Sequence, residues 1–338
     1  MALKEASLYS KLENNTVSCF LCSHHCTISD GKFGICNVRE NLGGILYTHS
    51  YGSIIAENID PIEKKPLYHF HPGSCSYSIA AIGCNFKCDF CQNWEISQVL
   101  EAEALGVNPR RENPESIVAK ALQTNSKSIS YTYTEPTIFF EYALDVSRLA
   151  AQKSLANVLV TNGFMTKEMI AEMKPLLHAA NIDLKAFKDT TYRKVCKGRL
   201  APVLENIALM KREGIWIEVT TLIVPGLNDS EDELKNIASF LAGVDRSIPW
   251  HISRFHPQYK MTRESDTPLS ILSRAYDLAG EAGLRYAYIG NAPGKGNHTF
   301  CYNCRQLLIE RSGFSILQYN IKKGTCPKCG TIIDGVGL

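Results

Sequence analysis

The sequence predicts an α/β fold, an open or partial (βα) barrel with a small cysteine-rich segment at each end. Three observations predict it. From Gly73 onward, short β-rich runs alternate with helical patterns. Of the 13 cysteines, all but Cys75 and Cys196 gather before that region, at its first loop and after it. The chain has 338 residues, 45% of them hydrophobic and 21% charged, enough for one large core with satellites.

Residues 1–72 are short, turn-rich and cysteine-rich, with Gly31 and Gly34 placed as turn glycines. The stretch from Gly44 to Ala56 has strand-like β-branched and aromatic content, and Asp60-Pro61 and Lys65-Pro66 punctuate an extended crossing. The barrel region is set at 73–296. Its expected strands are Tyr77–Ile82, Ser128–Tyr133, Asn157–Thr161, Ala180–Leu184, Trp216–Ile223 and Trp250–Phe255, with Arg285–Ile289 as a candidate seventh. Helical patterns cover Pro114–Thr124, Pro136–Lys153, Thr166–His178, Val203–Glu213, Ser230–Leu241 and Leu269–Gly283. Asn113-Pro114, Glu135-Pro136 and Asp229-Ser230 supply helix-start chemistry. Six strands joined by five helical crossovers of this length imply a parallel sheet, by the right-handed βαβ rule. A doubly wound sheet is the alternative. Residues 297–338 are too short and polar to pack alone.

Lysine plus arginine number 36 against 34 acidic residues, so a charge of +2 gives no mandate for nucleic acid or an anionic membrane. Nucleic acid stays undecided, since a local basic patch would be enough. No run approaches the roughly 18 apolar residues of a membrane span. The opening MALKEASLYSKLENN lacks the apolar centre of a secretory signal, and the expected location is cytoplasmic. In a reducing compartment, closely spaced cysteines are metal or iron–sulfur ligands rather than disulfides.

The strongest motif is GCNFKCDFCQN, with Cys84, Cys88 and Cys91 directly after the first barrel strand. Three thiolates on one tight loop can hold three irons of a [4Fe–4S] cluster, leaving the fourth open. Barrel active sites lie at the C-terminal ends of strands, where this loop falls. The competing reading is a structural zinc site with a distant fourth ligand. Gly290, Gly294, Lys295 and Gly296 miss the spacing of a phosphate loop and are rejected as one.

With Phe90 before its last cysteine, this motif resembles the signature of the radical S-adenosylmethionine (SAM) superfamily. The phrases DPIEKKPLYHFHPGS, SIAAIGCNFKCDFCQNWEISQ, YTEP and NIDLKAF, and the terminal cysteine pairs followed by IIDGVG, resemble the AmmeMemoRadiSam system radical SAM enzymes, relatives of pyruvate formate-lyase activating enzymes. The resemblance implies a partial (βα)6 radical SAM barrel in which SAM is cleaved reductively to a 5′-deoxyadenosyl radical that abstracts hydrogen from a substrate.

It also implies roles for particular residues. Glu135, with Thr134, would meet the SAM ammonium, although Tyr133-Thr134 replaces the glycines of relatives; the plainer reading of Glu135 is a helix N-terminal acid. Asp183 and Lys185 share a strand face and would lie near the SAM ribose and carboxylate; the alternative is a rim salt bridge. His256, in phase with Arg254, matches a histidine near SAM; the alternative for both is a plain rim residue. Asn162 has two readings, an ordinary turn residue or a lining residue of the site, and Asn291 would approach adenine or substrate. An electron donor such as flavodoxin or ferredoxin is implied, and a protein substrate or a Memo- or Ammecr-type partner is a candidate.

Cys301, Cys304, Cys326 and Cys329 have zinc-ribbon or rubredoxin-like spacing, with zinc favoured. Cys19, Cys22, Cys26 and Cys36 suit a second zinc knuckle, narrowly preferred and with His24 or His25 as alternate ligand, or an auxiliary iron–sulfur cluster. Cys196 stands on a loop near the expected mouth, where a thiol could donate hydrogen or sense oxidation; a small buried hydrophobe is the plainer reading. The enzyme reading competes with a non-catalytic metal-binding docking scaffold. A methyltransferase-type use of SAM ranks last, and a glycyl radical activase is one form of the first.

Overall fold

A computed structural model describes residues 3–99, 106, 108–294 and 296–338. Lys295, in the rejected phosphate-loop motif, lies outside them. At the centre is a nine-stranded sheet. Seven of its strands are parallel neighbours in chain order: Cys75–Ala81, Ser128–Tyr131, Ala156–Thr161, Ala179–Asp183, Trp216–Ile223, Trp250–Arg254 and Ala287–Gly290. A doubly wound sheet reverses its strand order partway. This one does not, so it winds in one direction as a barrel does and stays open. The seventh strand is present at one edge. At the other edge, Ser53–Pro61 pairs antiparallel with Cys75–Ala81 and carries the short strand Arg110–Arg111.

Local chemistry sets the helices between strands. Asn113 accepts the Ser116 N–H with Pro114 in the first turn, and the helix runs Pro114–Gln123. Ser230, not Asp229, caps Glu231–Val244. Pro202 is tolerated in the first turn of Leu200–Arg212, because those N–H groups need no intrahelical partner, and this helix starts earlier than its pattern suggested. Lys167–Met173 is shorter than expected because Pro175 interrupts the N–H ladder. Pro136–Phe139 is a 3-10 turn that precedes the helix Phe140–Gln152.

The strand-like run 44–56 divides in two. Ile45–Thr48 joins a small sheet with Lys4–Glu5 and Arg39–Leu42, and Ser53–Pro61 enters the central sheet. The turn between them needs Gly52, whose φ is +66° and whose added Cβ would lie 2.8 Å from the Glu112 carbonyl. N-terminal Val17, Leu21, Ile28 and Leu46 share one continuous core with the barrel strands. A buried ion pair, Arg39 with Glu141, fastens that segment to the helix Phe140–Gln152. The last 40 residues add an antiparallel sheet of Thr299–Phe300, Leu307–Ser312 and Ser315–Tyr319. Its Leu308 and Ile309 pack with Tyr68, Tyr286 and Tyr288 beneath the barrel. Among the described residues, no helix is long and apolar enough to cross a membrane.

Candidate active site and metal centres

Because the seven strands are parallel, their C-terminal ends share one edge, and the cysteine loop follows the first of them. Two backbone bonds clamp this loop: Lys87 N–H to the Cys196 carbonyl at 3.0 Å and Asp89 N–H to Val195 at 3.3 Å. Phe86 packs against Phe164 and Tyr192. It also lies so close to Gly198 that an added Cβ there would sit 2.3 Å from the ring. Lys260 N–H reaches the Asp89 carbonyl at 3.1 Å, and Tyr259 stacks on Trp94. A segment following Trp250–Arg254 thus closes against the loop of the first strand.

The sulfurs receive directed donors. Phe86 N–H lies 3.3 Å and Asn162 Nδ2 3.9 Å from Cys84 Sγ, while Cys91 Sγ lies 3.3 Å from the Ser97 hydroxyl, which itself donates to the Asn93 carbonyl. The fully buried Asn85 Nδ2 has no hydrogen-bond partner within this loop. An unpaired buried donor beside thiols fits a group rich in sulfur acceptors, as an iron–sulfur cluster is. Burial pushes the Cys84 and Cys91 thiols up, and the hydrogen bond with Cys196, together with burial, does the same for Cys88. Metal entry must therefore displace protons.

Asp183 and Lys185 form an ion pair at 2.9 Å on this edge. Burial pulls the Lys185 ammonium down, but Asp183 and the Cys88 and Cys196 sulfurs outweigh it and hold the group well above its ordinary value. The lysine is thus a fixed cation beside the Cys88 thiol. Its backbone is held as well, by its own N–H to Tyr192 Oη at 3.0 Å and by Asn228 Nδ2 at its carbonyl, 2.8 Å.

Glu135 is buried, and burial raises its carboxyl pKa. Its oxygens accept from Thr137 N–H at 3.0 Å, Thr137 Oγ1 at 2.6 Å, Thr161 Oγ1 at 2.7 Å and Asn162 N–H at 2.8 Å. The carboxylate caps the 3-10 turn and ties two strand ends together, with three of these donors on Oε1 and the Asn162 N–H alone on Oε2. Thr134 Oγ1 is spent on the Ala81 carbonyl at 2.7 Å. Asn162 donates to Asn85 Oδ1 at 2.7 Å, so it touches the cysteine loop directly.

His256 and Asn291 meet at the far rim. His256 Nδ1 lies 3.1 Å from Asp266, which also pairs with Arg254 at 3.3 Å, and Asn291 Nδ2 donates to Ser253 Oγ at 2.9 Å. Cys196 is neither isolated nor at the open mouth. It is fully buried in the π turn Tyr192–Cys196, hydrogen-bonded to Cys88. Sequence reasoning missed Asn85 and Ser97 as neighbours of the sulfurs. Asn85 stood inside the motif, but nothing linear marks which polar side chain folds back onto a thiol.

The C-terminal cysteines converge, with Cys301 and Cys329 Sγ atoms 3.7 Å apart and Cys304 and Cys326 3.6 Å apart. A tetrahedral ion with metal–sulfur bonds of about 2.3 Å requires sulfurs about 3.8 Å apart. All four lie within 4.8 Å of one another, so these residues fit a single metal ion. In the N-terminal segment, His24 Nε2 bonds the Asn85 carbonyl at 2.8 Å, turning its ring toward the barrel, and His25 is exposed.

Comparison with known proteins agrees with this geometry. The model of the radical SAM superfamily matches residues 79–241. An uncharacterized protein of Methanocaldococcus jannaschii is 47% identical over 337 residues, covering 98% of this chain and 99% of that one. A putative glycyl-radical enzyme activating enzyme of the same organism is 24% identical over 186 residues, covering 53% of this chain and 66% of that one. The crystal structure of a radical SAM methyltransferase from Sphaerobacter thermophilus shares the fold, with a TM-score of 0.51 at 15% identity over 67% of this chain and 68% of that one. The cysteine loop, the strand that presents it and these matches together make the chain a member of the radical SAM superfamily, with the [4Fe–4S] cluster and SAM that membership implies.

Proposed function

We propose that Cys84, Cys88 and Cys91 ligate the [4Fe–4S] cluster of an enzyme that abstracts a hydrogen atom from its substrate. The observation that carries this reading is the three-cysteine loop at the C-terminal strand edge with the Asp183–Lys185 pair against it. A cluster held by Cys84, Cys88 and Cys91 would supply the electron for reductive cleavage of SAM, the chemistry by which hydrogen is taken from a substrate. The chain's own residues bind and orient. Lys185 provides a fixed positive charge for the SAM carboxylate, and Asp183, its side chain more open than that of Lys185, is available to a ribose hydroxyl. Glu135 acts through others, holding Thr161 and Asn162 so that the Asn162 amide faces Asn85 and Cys84. His256 and Asn291 bound the far side, toward adenine or substrate. Tyr259, stacked on Trp94, narrows access of water from that side.

Anaerobic reconstitution, reduction with dithionite and addition of SAM should yield 5′-deoxyadenosine from the native chain and none from the C84A/C88A/C91A variant. Absence of product and of SAM binding to a fully loaded, reduced cluster, seen by electron paramagnetic resonance, would favour a docking scaffold. The activating-enzyme relative supports a glycyl residue of a partner protein as substrate. That form of the reading predicts a carbon-centred glycyl signal in the partner.

A further inference from the structure

The Cys84, Cys88 and Cys91 loop serves as a ruler for the N-terminal cysteines, and the comparison rests on its reading as a [4Fe–4S] site. Among the described residues, the C-terminal cysteines alone bring three or more metal-binding side-chain atoms within 4.8 Å of one another. A single ion demands that closeness, whereas a polynuclear cluster places each cysteine on a different iron and needs wider spacing. Neither the three loop cysteines nor Cys19, Cys22, Cys26 and Cys36 meet the single-ion condition.

These four nevertheless converge. Cys19 N–H bonds the Cys26 carbonyl at 2.9 Å across adjacent strands. The turn bearing Cys36 is placed by Gly34, whose added Cβ would lie 3.8 Å from Cys26 Sγ. Cys22 interacts electrostatically with Cys19, Cys26 and Cys36. Arg39 Nη1 donates to Cys19 Sγ at 3.5 Å, while its Nη2 pairs with Glu141.

The sulfurs are also provided with donors as the loop sulfurs are. Backbone N–H groups two residues on are directed at Cys22, from His24, and at Cys36, from Val38. Phe86 and Asn93 do the same for Cys84 and Cys91. The group is built against the active-site loop as well. The Cys36 carbonyl lies 3.5 Å from the Cβ position of Gly83, and His24 bonds the Asn85 carbonyl.

We propose that Cys19, Cys22, Cys26 and Cys36 ligate a second iron–sulfur cluster, beside the first, rather than a zinc ion. The full-length C84A/C88A/C91A variant, produced with iron and purified anaerobically, isolates this site. It should retain about four iron and about four acid-labile sulfide per chain, with about one zinc on the C-terminal cysteines. Adding C36S should lower that iron at least tenfold. A triple variant without iron, whether it holds about two zinc or about one, overturns the proposal. Should the triple variant not fold, Mössbauer spectroscopy of the 57Fe-enriched native chain and of its C36S variant decides: loss of about four irons in C36S supports the second cluster, and an iron content that C36S leaves unchanged overturns it. A native chain with about four irons, all kept in the triple variant, would instead remove the cluster from Cys84, Cys88 and Cys91 while leaving this one standing.

Discussion

Lys185 is a largely buried cation held among anionic neighbours at the cysteine loop. Asp183 alone would balance its charge, yet it also lies in the field of Cys88 and Cys196. The Lys185→Met substitution keeps much of the aliphatic stem and removes the cation. We expect unchanged iron content and an apparent KM for SAM raised about tenfold or more, the equivalent of about 1.4 kcal/mol. Anaerobic 5′-deoxyadenosine kinetics on iron-matched samples check this; an unchanged KM would assign the pair to the rim alone. Glu135 makes the opposite kind of prediction. Four donors converge on its carboxylate, and Glu135→Leu strands them in the interior, so we expect about 3 kcal/mol or more of lost stability. Urea unfolding measures that loss. The Glu135 reading depended on a fact absent from the linear order, namely that Thr137, Thr161 and Asn162 all turn their donors inward.

At the scale of elements, the cysteine loop depends on a contact made far along the chain. Gly198 follows the π turn that clamps residues 87–89, and Phe86 fills the space a side chain would take. Gly198→Ala forces Phe86 or the turn to move, at a cost of about 1–3 kcal/mol. The expected result is reduced cluster retention after gel filtration, seen as lower iron per chain, with the secondary structure by circular dichroism unchanged. Full iron retention would show that the loop adjusts freely. Strand positions were legible because burial on both faces gives parallel strands short continuous apolar runs. Helix ends were less legible, since prolines at 175 and 202 act through position within the hydrogen-bond ladder rather than through composition.

Across the whole molecule, the end of the barrel opposite the cysteine loop is closed by a buried polar network. Glu218 accepts backbone N–H groups from Tyr68 at 3.0 Å and His69 at 2.8 Å, and His251 at 2.6 Å. His69 is also held by the Asp334 carbonyl at 2.7 Å and Tyr288 Oη at 2.5 Å. Burial lowers the His69 pKa from 6.5 to about 4, against the pull of Glu218 and the Asp334 carbonyl. The folded value lies below the unfolded one, so the stability tied to neutral His69 is complete above pH 6.5. It is lost as pH falls toward about 4. The loss is of the order of 3 kcal/mol, and Glu218, held low by His251 and His69 despite its burial, adds a loss in the same direction at lower pH. Thermal unfolding across pH 7 to 4.5 should show the midpoint falling, with a shallower fall for His69→Asn; equal slopes would place the dependence elsewhere. The C-terminal ribbon completes the same closure through Arg285 and Asp334, paired at 2.8 and 2.9 Å. Stripping its metal with a strong chelator should lower the melting temperature and loosen Tyr68, Tyr286 and Tyr288 together, as near-ultraviolet circular dichroism would report.

The sequence by itself determined the α/β class, the order of strands and the cysteine loop at a strand end. Each of these is local: apolar runs, crossover lengths and thiol spacing are properties of neighbours along the chain. The tertiary structure decided that the sheet winds in one direction and that Glu135 accepts from Thr137, Thr161 and Asn162. It also decided that Cys196 lies buried on Cys88, and that two four-cysteine groups with similar local motifs differ in how closely they close. Those outcomes depend on distances between atoms many residues apart, and linear spacing does not encode them.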